Sequence, residues 1–253
     1  MDAATQRALV DLVRDFYDAI ADDFDATRDH PWPGWERLAT ALAARVDPSR
    51  PLHVLDVGCG NARLARFLRA RGHRELRYAG IDACAALVAR AREAEPTGVF
   101  ERRDAVLGPL PARVCGRVAF DLVAAFGFLH HVPDGAARAG KVGELARFVA
   151  PGGLLALSFF RFDRAERFAR RTVDWGAAPS VAPAALERGD ALLAWGDAGA
   201  VRYCHAWSDD EVANALAPLE STAFARVLDF ASDGREGDLN RHVVLARAPR
   251  DAH

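Results

Sequence analysis

A short stretch early in the chain combines an apolar run with an acidic residue and two closely spaced glycines. It reads Val54-Leu55-Asp56-Val57-Gly58-Cys59-Gly60-Asn61. Glycines after a strand let the backbone approach a ligand where any Cβ would clash, which is typical of a site for a nucleoside cofactor. A dinucleotide fingerprint would need a glycine at the place that Arg63 occupies, so no pyrophosphate cradle is predicted. Asp56 suits a ligand with a cationic end, and we predict that the chain is an enzyme.

Further candidates follow the next predicted strands in the same way. Asp82 stands where a carboxylate can accept from two ribose hydroxyls, and Asp104 in Arg103-Asp104-Ala105 places another carboxylate where an adenine amino group can bond. Phe126 follows the fourth strand. Ligands of open α/β sheets bind outside the carboxyl ends of the strands, so these residues are expected to share one site. Each acidic residue alone is also explained as a helix cap or a solvated charge.

The elements that position these residues alternate between strand and helix patterns. Apolar residues at helical spacing predict an amphipathic helix over Ala8 to Phe24, followed by a loop from Asp25 to Gly34. Strands are predicted at Leu52–Val57, Arg77–Ile81, Val99–Arg102, Asp121–Ala125, Leu154–Phe159, Phe224–Ala231 and Arg241–Arg247, and helices at Ala62–Arg71, Cys84–Glu95 and Arg138–Val149. This alternation predicts an α/β fold with a Rossmann-like, seven-stranded, mostly parallel sheet that has one antiparallel strand and helices on both faces.

The pattern divides one predicted domain into four segments. Residues 1–50 are expected to form an N-terminal helical cap and substrate loop, and residues 51–160 the cofactor-binding core. Residues 161–206 are a substrate-side insertion in which the pattern loosens into a charged stretch rich in Ala and Pro that reaches about Ala200, and no strand is predicted in this segment. A capping box at Ser208 opens residues 207–253, which supply a closing helix and two strands.

Composition excludes several classes of protein. The chain has 253 residues and a formal charge of −2, which excludes a broadly basic nucleic-acid binder while leaving local patches open. No apolar run approaches the roughly 20 residues that span a bilayer, and the N-terminus lacks the order of a signal peptide, so a soluble cytoplasmic protein without a membrane partner is predicted. The four cysteines form no CxxC pair, so we predict neither a metal site nor a disulfide framework.

The glycine motif resembles the first motif of class I S-adenosylmethionine-dependent methyltransferases, which usually reads acidic-x-Gly-x-Gly-x-Gly, with Ala62 here in place of the last glycine. The resemblance implies S-adenosylmethionine as cofactor, with Asp56, Gly58 and Gly60 near its methionine end, Asp82 on the ribose, and Asp104 or Ala105 at the adenine. Tyr17 resembles the aromatic residue that closes over the cofactor in such enzymes, although a core position explains it equally well.

A more specific resemblance lies outside this core. Phe16-Tyr17-Asp18-Ala19-Ile20-Ala21 and Thr27-Arg28-Asp29-His30-Pro31-Trp32-Pro33 are similar to the tRNA wobble-uridine methyltransferases that esterify a 5-carboxymethyl group, the type found in the methyltransferase domain of AlkB homologue 8. His130-His131 matches the paired histidines of that family. Ala194-Trp195 resembles its Pro-Trp, and Arg202-Tyr203-Cys204-His205 resembles its Arg-Tyr-Tyr-His. The departures from the family are Ala194 and Cys204.

This resemblance implies an acceptor side to the site. Arg28 is expected to fork onto a carboxylate and orient one oxygen toward the methyl group, with His130 and His131 as further catalytic candidates. Trp32 offers a face to a flipped-out base, and the remaining substrate-binding candidates are Trp195, Arg202, Tyr203 and His205.

Plainer readings of the same residues stay open. Arg28 can form a surface ion pair with Asp25 or Asp29, Trp32 and Trp195 can pack between loop and core, and the two histidines can shape the pocket without touching substrate. The stretch Arg161 to Arg171 carries five arginines against two acids, which suits either tRNA phosphates or a solvated helix face.

The absence of two motifs favours an oxygen acceptor. The chain has no Asn-Pro-Pro-aromatic or Asp-Pro-Pro-aromatic motif after the fourth strand, which disfavours exocyclic amines, and no Pro-Cys pair, which disfavours carbon methylation of pyrimidines. The leading hypothesis is methylation of the carboxylate of a modified wobble uridine in tRNA. A small-molecule carboxyl or hydroxyl methyltransferase is the alternative, and a cofactor-binding regulatory subunit is a third. The related eukaryotic enzymes work with a small zinc-binding activator, so such a partner is possible here.

Overall fold

A computed structural model describes residues 1–28, 30–47, 49–196 and 199–250 of the chain. The strands are β1 (Leu52–Val57), β2 (Leu76–Asp82), β3 (Val99–Arg102), β4 (Phe120–Ala125), β5 (Val149–Phe160), β6 (Thr172–Val173), β7 (Asp190–Trp195), β8 (Ala200–His205), β9 (Phe224–Ser232) and β10 (Asn240–Arg247). The helices are α1 (Ala3–Ala26), α2 (Trp35–Ala43), α3 (Arg63–Ala70), α4 (Ala85–Ala94), α5 (Gly135–Ala146), α6 (Glu166–Ala169) and α7 (Asp209–Glu220).

Seven strands form the main sheet in the order β3-β2-β1-β4-β5-β10-β9. Strands β1 to β5 pair in parallel, whereas β10 runs antiparallel to both of its neighbours, β5 and β9. The predicted sheet with one antiparallel strand is therefore confirmed. The strand order reverses between β1 and β4, and the crevice at their carboxyl ends is the ligand site that such a sheet favours.

Alternate residues of β1 serve the two faces of the sheet. Leu55 and Val57 join a core with residues of α5 and α7, while Val54 joins a second core with residues of α2 and α3. Because side chains alternate along a strand, Asp56 shares the face of Val54. The acidic residue of the motif is thus buried on one wall of the site rather than solvated.

Helix α1 is longer than the predicted Ala8 to Phe24. Asp2 caps it by accepting from the backbone N–H groups of Ala4 and Thr5, which extends it to the chain start, and it continues to Ala26. Its apolar stripe packs Leu9 and Val13 against the small sheet formed by β6, β7 and β8. The helix therefore carries Tyr17 and Phe24 to the mouth of the crevice.

The small sheet of β6, β7 and β8 and the helix α2 were not predicted. Residues 161–200 contain the strands β6 and β7, and β7 pairs antiparallel with β8 from Asp190↔His205 to Trp195↔Ala200. Helix α2 begins where only the end of a loop was expected. The strands are short and their apolar residues do not alternate regularly with polar ones, so the periodic signal is weak, and packing on α1 supports them. None of the described helices has the length and hydropathy needed to cross a bilayer.

Candidate active site

A cavity of about 730 Å³ opens at the carboxyl ends of the parallel strands. Its walls come from α1, the glycine loop, the ends of β2 and β4, the small sheet and the connection between β9 and β10. Most of the predicted residues line it, namely Tyr17, Arg28, Trp32, Asp56, Gly58, Gly60, Asp82, Ala105, Phe126, His130, His131, Trp195 and Arg202.

The glycine loop is held in a conformation that only glycine adopts without strain. Gly58 has φ +76°, and a Cβ there would lie 3.1 Å from the Cβ of Phe128. The N–H groups of Gly58 and Cys59 both donate to the carbonyl of Ile81, at 2.9 and 3.1 Å, which folds the loop over the end of β2. Gly60 has φ +51°, and a Cβ there would have more open space. Glycine is favoured at this position by the left-handed backbone and not by a steric clash.

Ala62 also has a left-handed backbone, with φ 56°. It precedes α3 at the place where the resembling family has its third glycine. A left-handed alanine is strained by roughly 1 kcal/mol because its Cβ approaches the following carbonyl oxygen. The departure therefore concerns backbone strain more than side-chain size.

Asp82 both shapes the loop and faces the cavity. One carboxylate oxygen accepts from the N–H of Gly60 and the other from the N–H of Cys84, each at 2.9 Å. Each oxygen keeps a second lone pair, so the carboxylate can still accept from ligand hydroxyls. This geometry is compatible with the predicted role of Asp82 on a ribose, which stays a prediction.

The adenine end requires a correction. Asp104 is exposed and does not line the cavity; its carboxylate accepts from the N–H of Val106 at 2.8 Å and closes its own turn. Ala105 and Val106 form the wall instead, with Ile81 and Leu87 nearby. A base bound here would contact apolar side chains and backbone rather than the Asp104 carboxylate.

A hydrogen-bond relay crosses the site from the acceptor side. Arg202 Nη1 donates to the Tyr17 hydroxyl at 2.9 Å, which lies 3.0 Å from His131 Nε2. His131 Nδ1 lies 2.9 Å from the carbonyl oxygen of Tyr203. Because a carbonyl only accepts, Nδ1 carries the proton, so Nε2 accepts from the Tyr17 hydroxyl. Tyr17 therefore joins the two sides of the cavity in addition to covering it.

Neither histidine has the properties of a strong base. Burial lowers the pKa of His131 to about 3, and its free lone pair is already engaged by Tyr17. Burial also lowers the pKa of His130 well below its usual range, with repulsion from His131 adding to the effect. Among the described residues, neither ring nitrogen of His130 has a hydrogen-bond partner. Both imidazoles are neutral at physiological pH.

Two guanidinium groups dominate the acceptor side. The guanidinium carbons of Arg28 and Arg202 lie 5.2 and 5.6 Å from the ring centroid of Trp195, so both pack on this indole. Burial lowers the pKa of Arg28, and repulsion from Arg202 lowers it further. Neither guanidinium forms an ion pair with a carboxylate of the described residues, and the largest effects on their pKa values come from burial and from Arg202, Tyr17 and Cys204.

Arg28 does not form the suggested surface ion pair with Asp25. The Asp25 carboxylate accepts from Asn61 Nδ2 at 2.7 Å and lies 3.7 Å from Arg90 Nε. Asp29, the other suggested partner, lies outside the described residues. Within the described part of the chain, no carboxylate therefore occupies the two cations on Trp195.

Trp32 packs against neighbouring aromatic rings and also lines the cavity. Its ring stacks on Trp35 at a centroid distance of 5.7 Å and meets Phe126 edge-on at 6.0 Å. The Arg63 guanidinium covers it from 5.6 Å. The indole is half-buried and one edge lines the cavity, so packing fixes its orientation.

Tyr203 and His205 were expected to touch the acceptor, but neither lines the cavity. Both are fully buried. Asp190 accepts from the Tyr203 hydroxyl at 2.8 Å and lies 2.7 Å from His205 Nδ1, while Glu211 lies 2.9 Å from His205 Nε2. Residues on β8 point to opposite faces in turn, so Arg202 faces the cavity and Tyr203 the opposite side. These two residues support the small sheet rather than the acceptor.

The arginine-rich stretch is largely neutralised. Arg161 and Arg164 pair with Asp209, Arg167 with Glu236, and Arg170 with Glu166. Arg171 is exposed at the mouth of the cavity and forms no ion pair with a described residue. The positive surface predicted from this stretch is therefore narrower than its composition indicates.

Sequence reasoning missed the wall formed between β9 and β10. Asp233, Arg235 and Asn240 line the cavity, and Asp233 Oδ1 accepts from the N–H of Gly34 at 3.1 Å, which ties this connection to the Trp32 loop. The signal was available in the topology. Since β10 is antiparallel, the β9–β10 connection must lie at the same edge as the ends of the parallel strands.

One group of possible metal ligands lies beside the site. Ligand atoms of His130, His131 and Cys204 lie within 4.8 Å of one another. Both nitrogens of His131 are already hydrogen-bonded, and the buried Arg202 cation lies beside Cys204. A divalent ion there would meet strong repulsion, so the donor set does not fit a metal well.

Comparisons with known proteins agree with this geometry. A family model described as a methyltransferase domain matches residues 28–217. The solved structure of an S-adenosylmethionine-dependent methyltransferase from Methanosarcina mazei has a similar fold, with a TM-score of 0.60, 19% identity, and coverage of 83% of this chain and 97% of that one.

Two curated relatives have different acceptors in their names. A trans-aconitate 2-methyltransferase from Acidovorax ebreus is 32% identical over 145 residues, which is 57% of this chain and 50% of the relative. A tRNA (carboxymethyluridine(34)-5-O)-methyltransferase from Mus musculus is 30% identical over 141 residues, 56% of this chain and 18% of the relative. The chain thus spans half or less of the length of these relatives. Since the family model covers most of the chain and the sheet order agrees with it, the chain belongs to the methyltransferase-domain family and has the class I fold of S-adenosylmethionine-dependent methyltransferases.

Proposed function

We propose that this chain transfers a methyl group from S-adenosylmethionine to the carboxylate oxygen of an anionic acceptor. The observation that carries the proposal is the pair of guanidiniums, Arg28 and Arg202, which line the cavity on Trp195 and are paired with no described carboxylate. Like charges held together without counter-ions favour an anionic ligand. Guanidinium groups can also hold a carboxylate through two parallel hydrogen bonds.

The poor bases of the site support the same reaction. A hydroxyl acceptor must lose its proton, whereas a carboxylate is already ionised at neutral pH. His131 has a pKa of about 3 and His130 is likewise neutral, so both are weak bases. Asp82 and Asp233 are engaged by backbone N–H groups. Asp56, whose pKa is raised to about 7, lies in the glycine loop at the donor end of the cavity. An acceptor that needs no base therefore matches the groups on the acceptor side.

The chain's work is then mainly one of positioning. Bound S-adenosylmethionine supplies an electrophilic methyl group on a sulfonium. The glycine loop and Asp82 hold the donor, while Arg28 and Arg202 orient one acceptor oxygen toward it. Tyr17 fixes the Arg202 side chain by accepting from Nη1, so the acceptor clamp is linked to the helix over the donor. Neutralising the carboxylate as an ester weakens its attraction to both arginines and favours product release.

For the acceptor we favour the carboxymethyl group of a wobble-type uridine in tRNA. One named relative acts on carboxymethyluridine in tRNA, and the Thr27-Arg28 and Arg202 segments that resemble this type of enzyme meet at the cavity. Trp32 and Trp195 line the cavity and give a base an aromatic wall to contact. The exposed Arg171 and Arg235 at the rim suit phosphates.

A small carboxylic acid is the second candidate. It is favoured by the trans-aconitate methyltransferases, which are 32% to 36% identical to this chain over about half of its length. A cavity of about 730 Å³ is also large enough for a donor of this type with a small acid. Both candidates share the carboxylate acceptor and differ in what surrounds it.

The test uses the purified chain with methyl-labelled donor and three substrate pools: total tRNA from the source organism lacking this gene, a panel of small polycarboxylic acids, and matched alcohols. Carboxylate transfer predicts label that mild alkali releases as methanol. Label that resists alkali, or that enters only the alcohols, would contradict the ester proposal. Labelled tRNA with activity that falls steeply with salt would identify the nucleic acid, whereas salt-insensitive labelling of the acids would identify the second candidate.

A further inference from the structure

A buried tyrosine contacts the acidic residue of the glycine motif. Tyr78 on β2 stands opposite Val54 of β1, and Asp56 stands opposite Gly80. Because side chains alternate along both strands, Tyr78 and Asp56 lie on the same face of the sheet. The Tyr78 hydroxyl donates to Asp56 Oδ2. Tyr78 does not line the cavity, whereas Asp56 does, so the hydroxyl supports the carboxyl group from behind.

Four groups act on the Asp56 carboxyl group from the surrounding elements. The pKa of Asp56 is raised to about 7, mainly by burial. The charge of Asp82 adds to the rise, whereas the hydrogen bond from Tyr78 and the charge of Arg63 on α3 oppose it. Cys59 of the loop is also near, and burial raises the pKa of its thiol well above the usual range, so it stays neutral. Asp56 therefore changes its charge close to neutrality.

The glycine motif places this carboxyl group where the donor's amino-acid end is expected. We propose that Tyr78 is a positioning residue for the donor: its hydroxyl bonds Asp56 and holds the carboxylate where it attracts the cationic amino-acid end. Donor binding is then expected to strengthen as the pH rises through neutrality. The inference rests on donor binding by this family and not on the identity of the acceptor.

The direction in which donor affinity changes with pH follows from the charge of Asp56. Below neutrality the carboxyl group is protonated, and the ammonium of the donor meets a neutral partner. Above neutrality the carboxylate is formed and attracts it. Removing the hydroxyl of Tyr78 takes away a hydrogen bond to the charged form, which moves the titration of Asp56 to higher pH. The affinity lost in Tyr78→Phe is therefore recovered at higher pH.

The experiment titrates two ligands, S-adenosylhomocysteine and methylthioadenosine, by calorimetry between about pH 6 and about pH 8.5. They share the nucleoside and the thioether sulfur, but methylthioadenosine lacks the amino-acid end. For the unaltered chain we expect the Kd of S-adenosylhomocysteine to fall about tenfold between about pH 6 and about pH 8, because only the carboxylate form is competent, and the Kd of methylthioadenosine to stay constant.

Two variants separate positioning from structure. In Tyr78→Phe we expect the midpoint for S-adenosylhomocysteine to rise by about one pH unit, with the affinity restored at high pH. In Asp56→Asn we expect weak binding with no pH dependence over this range. If Tyr78→Phe weakens binding by the same factor at every pH, its role is structural and the proposal is overturned.

A further readout needs no variant. Calorimetry of the unaltered chain in two buffers of different ionisation enthalpy reports protons released on binding. We expect proton release with S-adenosylhomocysteine near pH 6.5 and none with methylthioadenosine. Equal proton release with both ligands, or none with either, would overturn the assignment of Asp56 to the amino-acid end. None of these titrations contains an acceptor, so their failure is distinguishable from failure of the carboxylate proposal.

Discussion

The donor and acceptor halves of the cavity are built in different ways. The donor half comes from consecutive strand ends: Asp56 and Gly58 lie at the end of β1, Asp82 ends β2, and Ala105 follows β3. The acceptor half is assembled from α1, β7, β8 and the β9–β10 connection, which are distant in sequence. Backbone conformation and acids dominate the first half, and arginines and aromatic rings dominate the second.

This difference teaches where function is encoded locally. A glycine with positive φ and a carboxylate at a strand end are set by neighbouring residues, so a short motif is enough to recognise them. The arginine clamp depends on Trp195 meeting Arg28 and Arg202 through tertiary packing. If the two halves are separate in function, variants should change donor binding or acceptor use but not both.

The largest effect is expected at Arg28. In Arg28→Ala we expect kcat/KM for the acceptor to fall about 100-fold, since a charge-assisted hydrogen bond is worth up to about 3 kcal/mol. The Kd of S-adenosylhomocysteine should change by less than about twofold. Arg28→Lys is the matched control, because it keeps the charge and loses the fork, and should give an intermediate rate. Full turnover in Arg28→Ala would show that Arg28 does not hold the acceptor.

The opposite separation is expected at Gly58. In Gly58→Ala we expect donor affinity to fall at least about tenfold, because the left-handed backbone is strained and the new Cβ meets Phe128. Gly72→Ala is the control: Gly72 also has positive φ, but nothing lies within 4 Å of a Cβ there. Calorimetry with S-adenosylhomocysteine measures both. Equal donor affinity in the two variants would show that close approach at Gly58 has no role.

The junction of the halves gives a pH-dependent prediction. His131 has a folded-state pKa of about 3 against an ordinary value of 6.5, so the unfolded chain takes up a proton first as the pH falls. Its neutral form thus contributes stability that is complete above about pH 6.5 and is lost progressively toward about pH 3, at up to about 1.4 kcal/mol per pH unit. His131→Gln should reduce this slope in urea unfolding measurements. The exposed His30→Gln serves as the control, and an unchanged slope in His131→Gln would contradict the assignment.

The smallest effect concerns Ala62 in the donor half. Ala62→Gly should raise the free energy of unfolding by up to about 0.5 kcal/mol, because relief of the left-handed strain exceeds the entropy that glycine adds to the unfolded chain. Ala89→Gly, at an exposed position in the middle of α4, should instead lower it by about 1 kcal/mol. Thermal or urea unfolding measures both, and the same sign in the two variants would show that backbone strain at Ala62 is negligible.

The fold was predictable where periodicity was strong. Strands β1 and β3 were predicted to the residue, and the single antiparallel strand followed from the short connection between the last two strands. The small sheet was missed because β6 has only two residues and β7 and β8 are supported by α1 rather than by their own pattern. Local propensity carries little information about strands that depend on distant packing.

The candidate site was predictable in part for a related reason. Gly58 and Asp82 could be placed from the strands that precede them. Asp104, however, bonds its own turn, and His205 is enclosed by Asp190 and Glu211, a partner from the next helix. A residue type and its position in a motif do not determine which face of a strand it occupies, nor what lies opposite it.

By itself, the sequence determined the donor side: the alternation of strands and helices, the glycines whose backbone must be left-handed, and the acids at strand ends. These features are local, since they depend on residues a few positions apart. Only the tertiary structure decided the acceptor side, by packing α1 on the small sheet so that Tyr17, Arg28 and Arg202 converge. Charges with no local partner acquire a role only when folding brings them together and removes them from water.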